Sequence, residues 1–437
     1  MSGPQTPGRH LIAVCQFTAT HDKERNLTVC RKLIERAVGY KAKMIFLPEC
    51  FDYVGRSKEE SVALANQHED AFLESYMEIA RQNQCWLSLG GYHEKGPETE
   101  RVYNTHAILN SEGNVVAKYR KLHLFDLDIP NRVRLKESDF TIPGSKLLPP
   151  VETPVGKIGL ATCYDLRFPE QATLLRQASS DILTFPSAFT MYTGQAHWEV
   201  LLRARAIEQQ CWVIAAAQVG SHNPKRTSYG HAMVVDPWGS VVAQCPKEEE
   251  TICLAEIDLD LLNSVRQNLP CAEHKRKDVY CLFGLQQSAD PSADSFQFGH
   301  VTIPANQVFL ESSLSYAFVN IKPVVPGHVL VSSKRAVERL TELSPAEVAD
   351  LFHTAQQIQK KLEEFYEVGS TTIAVQDGPE AGQTVKHVHI HVLPRKKGDF
   401  PENDQIYAEL ANHERDSRSP RSNQEMEAEA AQLRKLF

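Results

Sequence analysis

The chain has 437 residues, 42% hydrophobic and 23% charged, with a net charge of −8 and 10 cysteines. That length predicts two or three globular domains, and the acidic balance leaves no basic excess to neutralise a nucleic-acid backbone, so small molecules rather than polynucleotides are the expected partners. The cysteines form no C-x-x-C pair, which fits reduced intracellular thiols, and the longest uncharged apolar run, near 212–220, is shorter than the ~18 residues that span a bilayer. With no apolar signal-peptide core at its start, the chain is expected to be cytoplasmic, nuclear or mitochondrial fractions remaining open, and to have no membrane partner.

After a tail over 1–10, residues 11–17 predict an apolar strand and 26–38 a helix, with Leu27, Cys30, Leu33, Ile34, Ala37 and Val38 at helical spacing. Residues 43–48, K-M-I-F-L-P, predict a buried strand that delivers Glu49 at its C-terminal end, where α/β sheets place ligands. A helix over 71–81 precedes strands over 85–92, 103–109 and 114–119, the last two joined by the turn S-E-G-N. Lys121 follows in Y-R-K-L-H-L-F-D. Residues 158–162 predict a buried strand that runs into Cys163, and Pro169 opens a helix. Strands over 182–186, 211–219 and 231–236, a helix over 197–208 and a hairpin turn at P-W-G-S continue a layered α/β domain over 11–283.

Residues 284–295, G-L-Q-Q-S-A-D-P-S-A-D-S, have few large apolar groups and read as a linker to a second domain over 296–437. There, 307–309 and 315–320 suggest a hairpin and 328–331 a strand. Ser344, Pro345 and Glu347 make a capping box for a helix whose face is lined by Val348, Leu351, Phe352, Ala355, Ile358, Leu362 and Phe365. Strands over 372–376 and 386–393 follow, then a polar stretch over 396–423 expected to be a mobile loop that contains Tyr407, and a closing helix over 425–437.

Taken singly, Cys163 reads as a core residue, Lys121 as part of a solvated basic face and Glu49 as a capping acid. Together, at strand ends of one α/β domain, they read as chemistry. A free thiol with a pKa of ~8.5 is only a few per cent thiolate at neutral pH and needs a base or a cation beside it. Asp165 and Arg167, flanking Cys163, would be costly to bury idle. In K-H-V-H-I-H-V-L, His387, His389 and His391 alternate with Val388, Ile390 and Val392, so period two sets three imidazoles on one strand face. The residues leave two readings open: a nucleophilic imidazole, or a zinc site for which no nearby Cys or carboxylate supplies an obvious fourth ligand.

Residues 11 to about 275 resemble the Nit branch of the nitrilase superfamily of carbon-nitrogen hydrolases through F-L-P-E-C at Glu49, Y-R-K-L-H-L-F-D at Lys121, A-T-C-Y-D-L-R-F-P-E at Cys163 and P-S-A-F-T-M-Y-T-G-Q-A-H-W-E. The resemblance implies an αββα sandwich and a Glu49–Lys121–Cys163 triad, with Glu137 as a second glutamate. Glu49 would be the base, and Lys121 with a backbone N–H near Tyr164 would hold the oxyanion. The implied reaction is hydrolysis of a small ω-amide, with a deaminated-glutathione-like substrate and no cofactor. Residues 296–437 resemble the fragile histidine triad branch of the HIT hydrolases, an α+β fold with an antiparallel sheet, through F-V-N-I-K-P-V-V-P-G-H-V-L-V, Q-D-G-P-E-A-G-Q-T-V-K-H-V-H-I-H-V-L-P-R-K and N-D-Q-I-Y-A-E-L. The resemblance makes His389 the nucleophile on a dinucleoside polyphosphate, with His387 and His391 orienting it or contacting phosphate. It makes His328 their buried partner, Gln376 a donor to the bridging phosphate oxygen and Asn320 a ribose contact. It also lays Gly382, Gln383, Thr384 and Val385 along the phosphates. Diadenosine triphosphate would give AMP and ADP, with a divalent cation, Mn or Mg, carried on the substrate and no protein metal site. The two domains in series resemble fusions of these families and imply a homotetramer. A contrasting expectation is a dinucleotide-sensing signalling protein, active in its substrate-bound form, with the first domain as scaffold.

Overall fold

Along the first strand, Arg9–Phe17, successive side chains enter two different cores, which sets the layers of the first unit. Ile12 and Val14 enter a core shared with Ile158, Leu160, Ile182, Val213 and Val234 of a second sheet. Ala13, Cys15 and Phe17 point the other way, onto Leu33 and Ile34 of the helix Lys23–Gly39 and Tyr76 and Ile79 of the helix Glu69–Asn83. One strand thus buries both faces, and the result is an αββα sandwich. The structure is a computed structural model that describes residues 8–65, 69–98, 100–129, 133–247, 250–285, 287–411 and 418–437.

The first sheet has eight strands, in the order Arg226–Tyr229, Ala217–Asn223, Arg9–Phe17, Met44–Phe46, Trp86–Lys95, Val102–Leu109 and Val115–Arg120, with Thr251–Asp258 antiparallel to Arg9–Phe17. The second has six strands, in the order Val241–Gln244, Met233–Val235, Trp212–Ala215, Ile182–Thr184, Gly156–Leu160 and Val151–Thr153. The helices Pro169–Gln177 and Met191–Gln209 belong to its side, with Ala172, Leu175, Trp198 and Leu202 in the shared core.

The chain divides between Lys275 and Arg276 into two units. The second holds a six-stranded antiparallel sheet, in the order Gln287–Ser288, Val308–Ser312, Ser315–Val319, Val329–Ser333, His389–Arg395 and Ser370–Ala374. The helix Pro345–Phe365, capped by Ser344 and Glu347, lays Leu351, Ala355, Ile358 and Leu362 against Val388, Ile390 and Val392. The opposite face is covered by the hairpin Ser295–Phe298 and Val301–Pro304, whose Phe296 and Phe298 pack on Tyr316, Phe318 and Leu330.

Several expectations are corrected. The apolar run 211–219 is two strands, Trp212–Ala215 and Ala217–Asn223, in different sheets. A continuous apolar run does not encode which sheet its residues join. The helix Lys58–Ala65 and the hairpin Asp126–Ile129 with Val133–Lys136 were not anticipated, because neither has a strong apolar stripe. Arg9 and His10, expected in the tail, already pair with Asp258 and Ile257. Part of the expected linker is ordered on the second unit: Gln287 and Ser288 pair with Ser312 and Glu311, and the Ser292 N–H and hydroxyl donate to Glu311 at 2.6 and 2.7 Å. Phe352 and Phe365 are exposed, at the margins of the helix's buried stripe. Within 396–423, Gln405–Ala411 is a helix that buries Ile406 and Leu410 against Val325 and Leu393, and Arg395 binds Asp399. Tyr407 is exposed on that helix, and 412–417 lie outside the described residues.

Candidate active sites

In the first unit, two strand ends turn through left-handed backbone beside their functional residues. Cys50 (φ 54°), after Glu49, and Cys163 itself (φ 48°) occupy a region that non-glycine residues seldom adopt. The Cys50 N–H donates to Gly91 O and the Cys163 N–H to Pro186 O at 3.0 Å, which fixes both turns. Gly91 has no side chain where Glu49 and Asn104 meet, and a Cβ there would lie 2.6 Å from Asn104 Oδ1 and 3.3 Å from Glu49 Cγ.

The Lys121 side chain is 2% exposed, and Nζ donates to Glu49 Oε1 at 3.1 Å and to Glu137 Oε2 at 2.7 Å. Asn104 Nδ2 donates to Glu49 Oε1 at 2.8 Å and, more weakly, to Glu137 Oε1 at 3.4 Å. The Ala188 N–H donates to Glu49 Oε2 at 2.9 Å and the Phe125 N–H to Glu137 Oε2 at 2.7 Å. Burial alone would raise the Glu49 carboxyl, but Lys121, Cys163 and Arg226 hold it below its ordinary range. Burial would lower Lys121, yet Glu137, Glu49 and Cys163 keep it well above its usual value. Cys163 is pushed well up by burial and by Glu49, with Lys121 opposing. At rest the site therefore holds a carboxylate, an ammonium and a protonated thiol. The sequence called for a base or a cation beside the thiol, and the structure brings both Glu49 and Lys121 to it.

The Y-R-K-L-H motif is tied to the cysteine turn by Asp165, which is 1% exposed. Its Oδ1 accepts from His123 Nδ1 at 2.7 Å, and its Oδ2 accepts from the Tyr119 hydroxyl at 2.7 Å and the Thr162 N–H at 2.8 Å. His123 also stacks on Phe168 with centroids 3.7 Å apart. A narrow cleft over Cys163 is lined by Phe125, Tyr164, Arg167, Ala188, Phe189 and Thr190.

In the second unit the three histidines are buried, at 0% for His387, 5% for His389 and 3% for His391; Phe298 of the 295–304 hairpin packs on His387 and His389, and His391 packs on His328. His389 and His391 lie on the strand and His387 just precedes it. His389 Nδ1 donates to His387 O at 2.7 Å, leaving Nε2 with the lone pair. His387 accepts from the Gly299 N–H at Nδ1, 3.1 Å, and donates from Nε2 to Ser333 O, 2.8 Å, and burial lowers its pKa. Both ring nitrogens of His387 are thus committed to backbone, and its carbonyl accepts from His389. His328 Nδ1 accepts from the Val324 N–H at 3.1 Å, so its proton lies on Nε2 and is donated to His391 Nδ1 at 2.9 Å. That relay places the His391 proton on Nε2.

Asn320 is 2% exposed, with Oδ1 on the Lys322 N–H and Nδ2 3.4 Å from His328 Nε2. Gln376 donates to Leu410 O at 3.4 Å. Gly382 is left-handed (φ 88°), and Gln383 clasps its loop by accepting from the Gly378 N–H and donating to Glu338 O. Thr384 is exposed, and Val385 packs with Phe298. Among the described residues no three His, Cys, Asp or Glu side chains gather as metal ligands. Sequence reasoning missed Asn104, the Ala188, Val324 and Gly299 N–H groups, and Arg226. Of these only Asn104, a polar residue in a strand with buried neighbours on both sides, left a local signal.

These two units are the working parts of two hydrolases. A carbon-nitrogen hydrolase model matches residues 11–267 and a HIT domain model residues 302–398. The chain is 52% identical over 432 residues to the nitrilase and fragile histidine triad fusion protein NitFhit of Caenorhabditis elegans, covering 98% of this chain and 97% of that one. The crystal structure of the C. elegans NitFhit protein superposes with a TM-score of 0.91 at 50% identity, covering 98% and 99% of the two chains. The first unit is also 53% identical over 273 residues to human deaminated glutathione amidase, covering 62% of this chain and 83% of that one. The chain belongs to the family of nitrilase and fragile histidine triad fusion proteins, and it joins two hydrolase domains in one polypeptide. Among the described residues no helix is long and apolar enough to cross a membrane.

Proposed function

We propose that the first unit hydrolyses a small ω-amide of the deaminated glutathione type and the second splits a dinucleoside polyphosphate such as diadenosine triphosphate into AMP and ADP. The observation that carries the first reading is the buried convergence of Glu49, Lys121 and Cys163, with Lys121 Nζ 3.1 Å from Glu49. Glu49 takes the thiol proton as Sγ attacks the amide carbon, so negative charge forms on oxygen only as the thiol's proton is removed. Lys121 and the Tyr164 N–H face that oxygen, and Glu49 returns the proton to the departing nitrogen. Water, activated by Glu49, then cleaves the thioester. Glu137 and Asn104 keep the base and the cation in register. Similarity to the human amidase supports this choice of substrate.

In the second unit the lone pair on His389 Nε2 is aimed by the Nδ1 bond to His387 O. Attack on the α-phosphorus expels the nucleoside diphosphate, and water releases the nucleoside monophosphate from Nε2. The His391 Nε2–H is a donor suited to a phosphate oxygen. A divalent cation used in the reaction would be carried on the substrate's phosphates. The test is a pair of variants in the full chain: Cys163→Ser abolishes amine release and His389→Asn abolishes dinucleotide cleavage. Full residual activity in either variant removes the corresponding reading.

A further inference from the structure

The turn over 320–328 delivers His328 to the histidine strand, and both of its ends are held by side chains from elsewhere in the second unit. At its start the Arg421 N–H donates to Ile321 O at 2.9 Å, and Arg421 Nη2 donates to Asn320 O. At its end Gly327 is left-handed (φ 76°), and a Cβ there would lie 2.3 Å from the Tyr366 ring. That ring therefore closes directly on the backbone beside His328. Glu429, on the helix Asn423–Arg434, gathers the two holders: Oε2 accepts from Arg421 Nη1 at 2.7 Å and Oε1 from the Tyr366 hydroxyl at 3.4 Å.

Within the turn the Lys322 N–H donates to Asn320 Oδ1 at 2.9 Å, the Val324 N–H to His328 Nδ1 at 3.1 Å and the His328 N–H to Val325 O at 3.1 Å. The Val324 bond is the one that sets the His328 proton on Nε2, from where it reaches His391 at 2.9 Å. It lasts only while the turn keeps its shape. Arginine suits the anchoring position because its planar fork places one nitrogen on a carboxylate and another on a carbonyl at once, which a lysine ammonium on a flexible stem does not. The Arg421 and Glu429 side chains are well shielded, at 19% and 16% exposed, so water competes little for these bonds.

We infer that Arg421 is a positioning residue for the second unit's reaction: held by Glu429 and bonded to Asn320 and Ile321, it keeps the turn in the shape that lets His328 donate to His391. This rests on the dinucleotide reading above and adds a residue, outside the histidine strand, on which the rate depends.

The test is a double-mutant cycle on kcat for diadenosine triphosphate in the full chain. Arg421→Gln lowers kcat about 10-fold, the worth of one charge-assisted hydrogen bond, while amide hydrolysis by the first unit is retained. In the His328→Phe background the same substitution lowers kcat less than about 2-fold, because the bond it protects is already gone. Arg421→Lys, which keeps a charge on Glu429 but gives up the bond to Asn320 O, carries the same cycle if Arg421→Gln does not fold. An unchanged kcat in the single variant, or an equal loss with and without His328, overturns the inference and leaves Arg421 as part of the fold. A wild-type chain that leaves diadenosine triphosphate intact overturns the dinucleotide reading and this inference with it.

Discussion

Replacing Lys121 by methionine keeps most of the side-chain volume and removes the positive charge that bonds both Glu49 and Glu137, at 3.1 and 2.7 Å. The buried Glu49 and the part-buried Glu137 then face one another across Asn104. Breaking a buried pair in this way costs about 3–5 kcal/mol, which for a unit of this size is about 6–20 °C in melting temperature. The pH dependence is the sharper signature. In the wild type the Glu49 carboxyl is depressed, so its contribution is present above the unfolded carboxyl's ~4.3 and is lost only at lower pH. In Lys121→Met like-charge repulsion raises one of the two carboxyls, so the folded state takes up a proton and the added cost grows as pH rises. The deficit relative to wild type is therefore largest at pH 8 and shrinks towards pH 5, by up to ~1.4 kcal/mol per pH unit. All four tryptophans, Trp86, Trp198, Trp212 and Trp238, lie in the first unit, so their fluorescence follows its unfolding alone. A Lys121→Met chain that melts with wild type at both pH values refutes a buried ammonium held between two carboxylates.

In the second unit, His328→Phe removes both the acceptor of the Val324 N–H and the donor to His391, and dinucleotide turnover is expected to fall about 10–100-fold while amide hydrolysis at Cys163 is retained. His222, bonded to Ala19 O and Ser228 Oγ at 2.7 Å each, is held down at about 4 by burial and by Arg226. Its folded value lies below the unfolded ~6.5, so its stabilisation is complete above that pH and is lost as pH falls towards 4. His222→Gln should lower the urea midpoint at pH 7 yet flatten its decline between pH 6.5 and 4.5. An equal slope in the two proteins would show that the acid sensitivity lies elsewhere.

What the residues determined by themselves was a set of candidate reacting groups and their positions at strand ends. Glu49 follows K-M-I-F-L-P, Cys163 ends a buried strand, and alternation aligned His389 and His391 opposite Val388, Ile390 and Val392. Those features are local, set by the two-residue period of a strand and by the chemistry of the side chains. The capping box at Ser344 was legible for the same reason.

What only the tertiary structure decided was every contact that joins distant segments. The Ala188 N–H reaches Glu49 across 139 residues, and Lys121 reaches it across 72. The split of 211–219 between two sheets, the packing of Phe298 from the 295–304 hairpin on His387 and His389 and the pairing of Gln287 and Ser288 with the second unit's sheet edge arise in the same way. So do the electrostatics: the motif around Cys163 carries no measure of its burial, and the folded site buries the thiol beside the Glu49 carboxylate, which together push its pKa well up. A sequence pattern encodes which face a residue takes, whereas burial and charge depend on what the rest of the chain brings to that face.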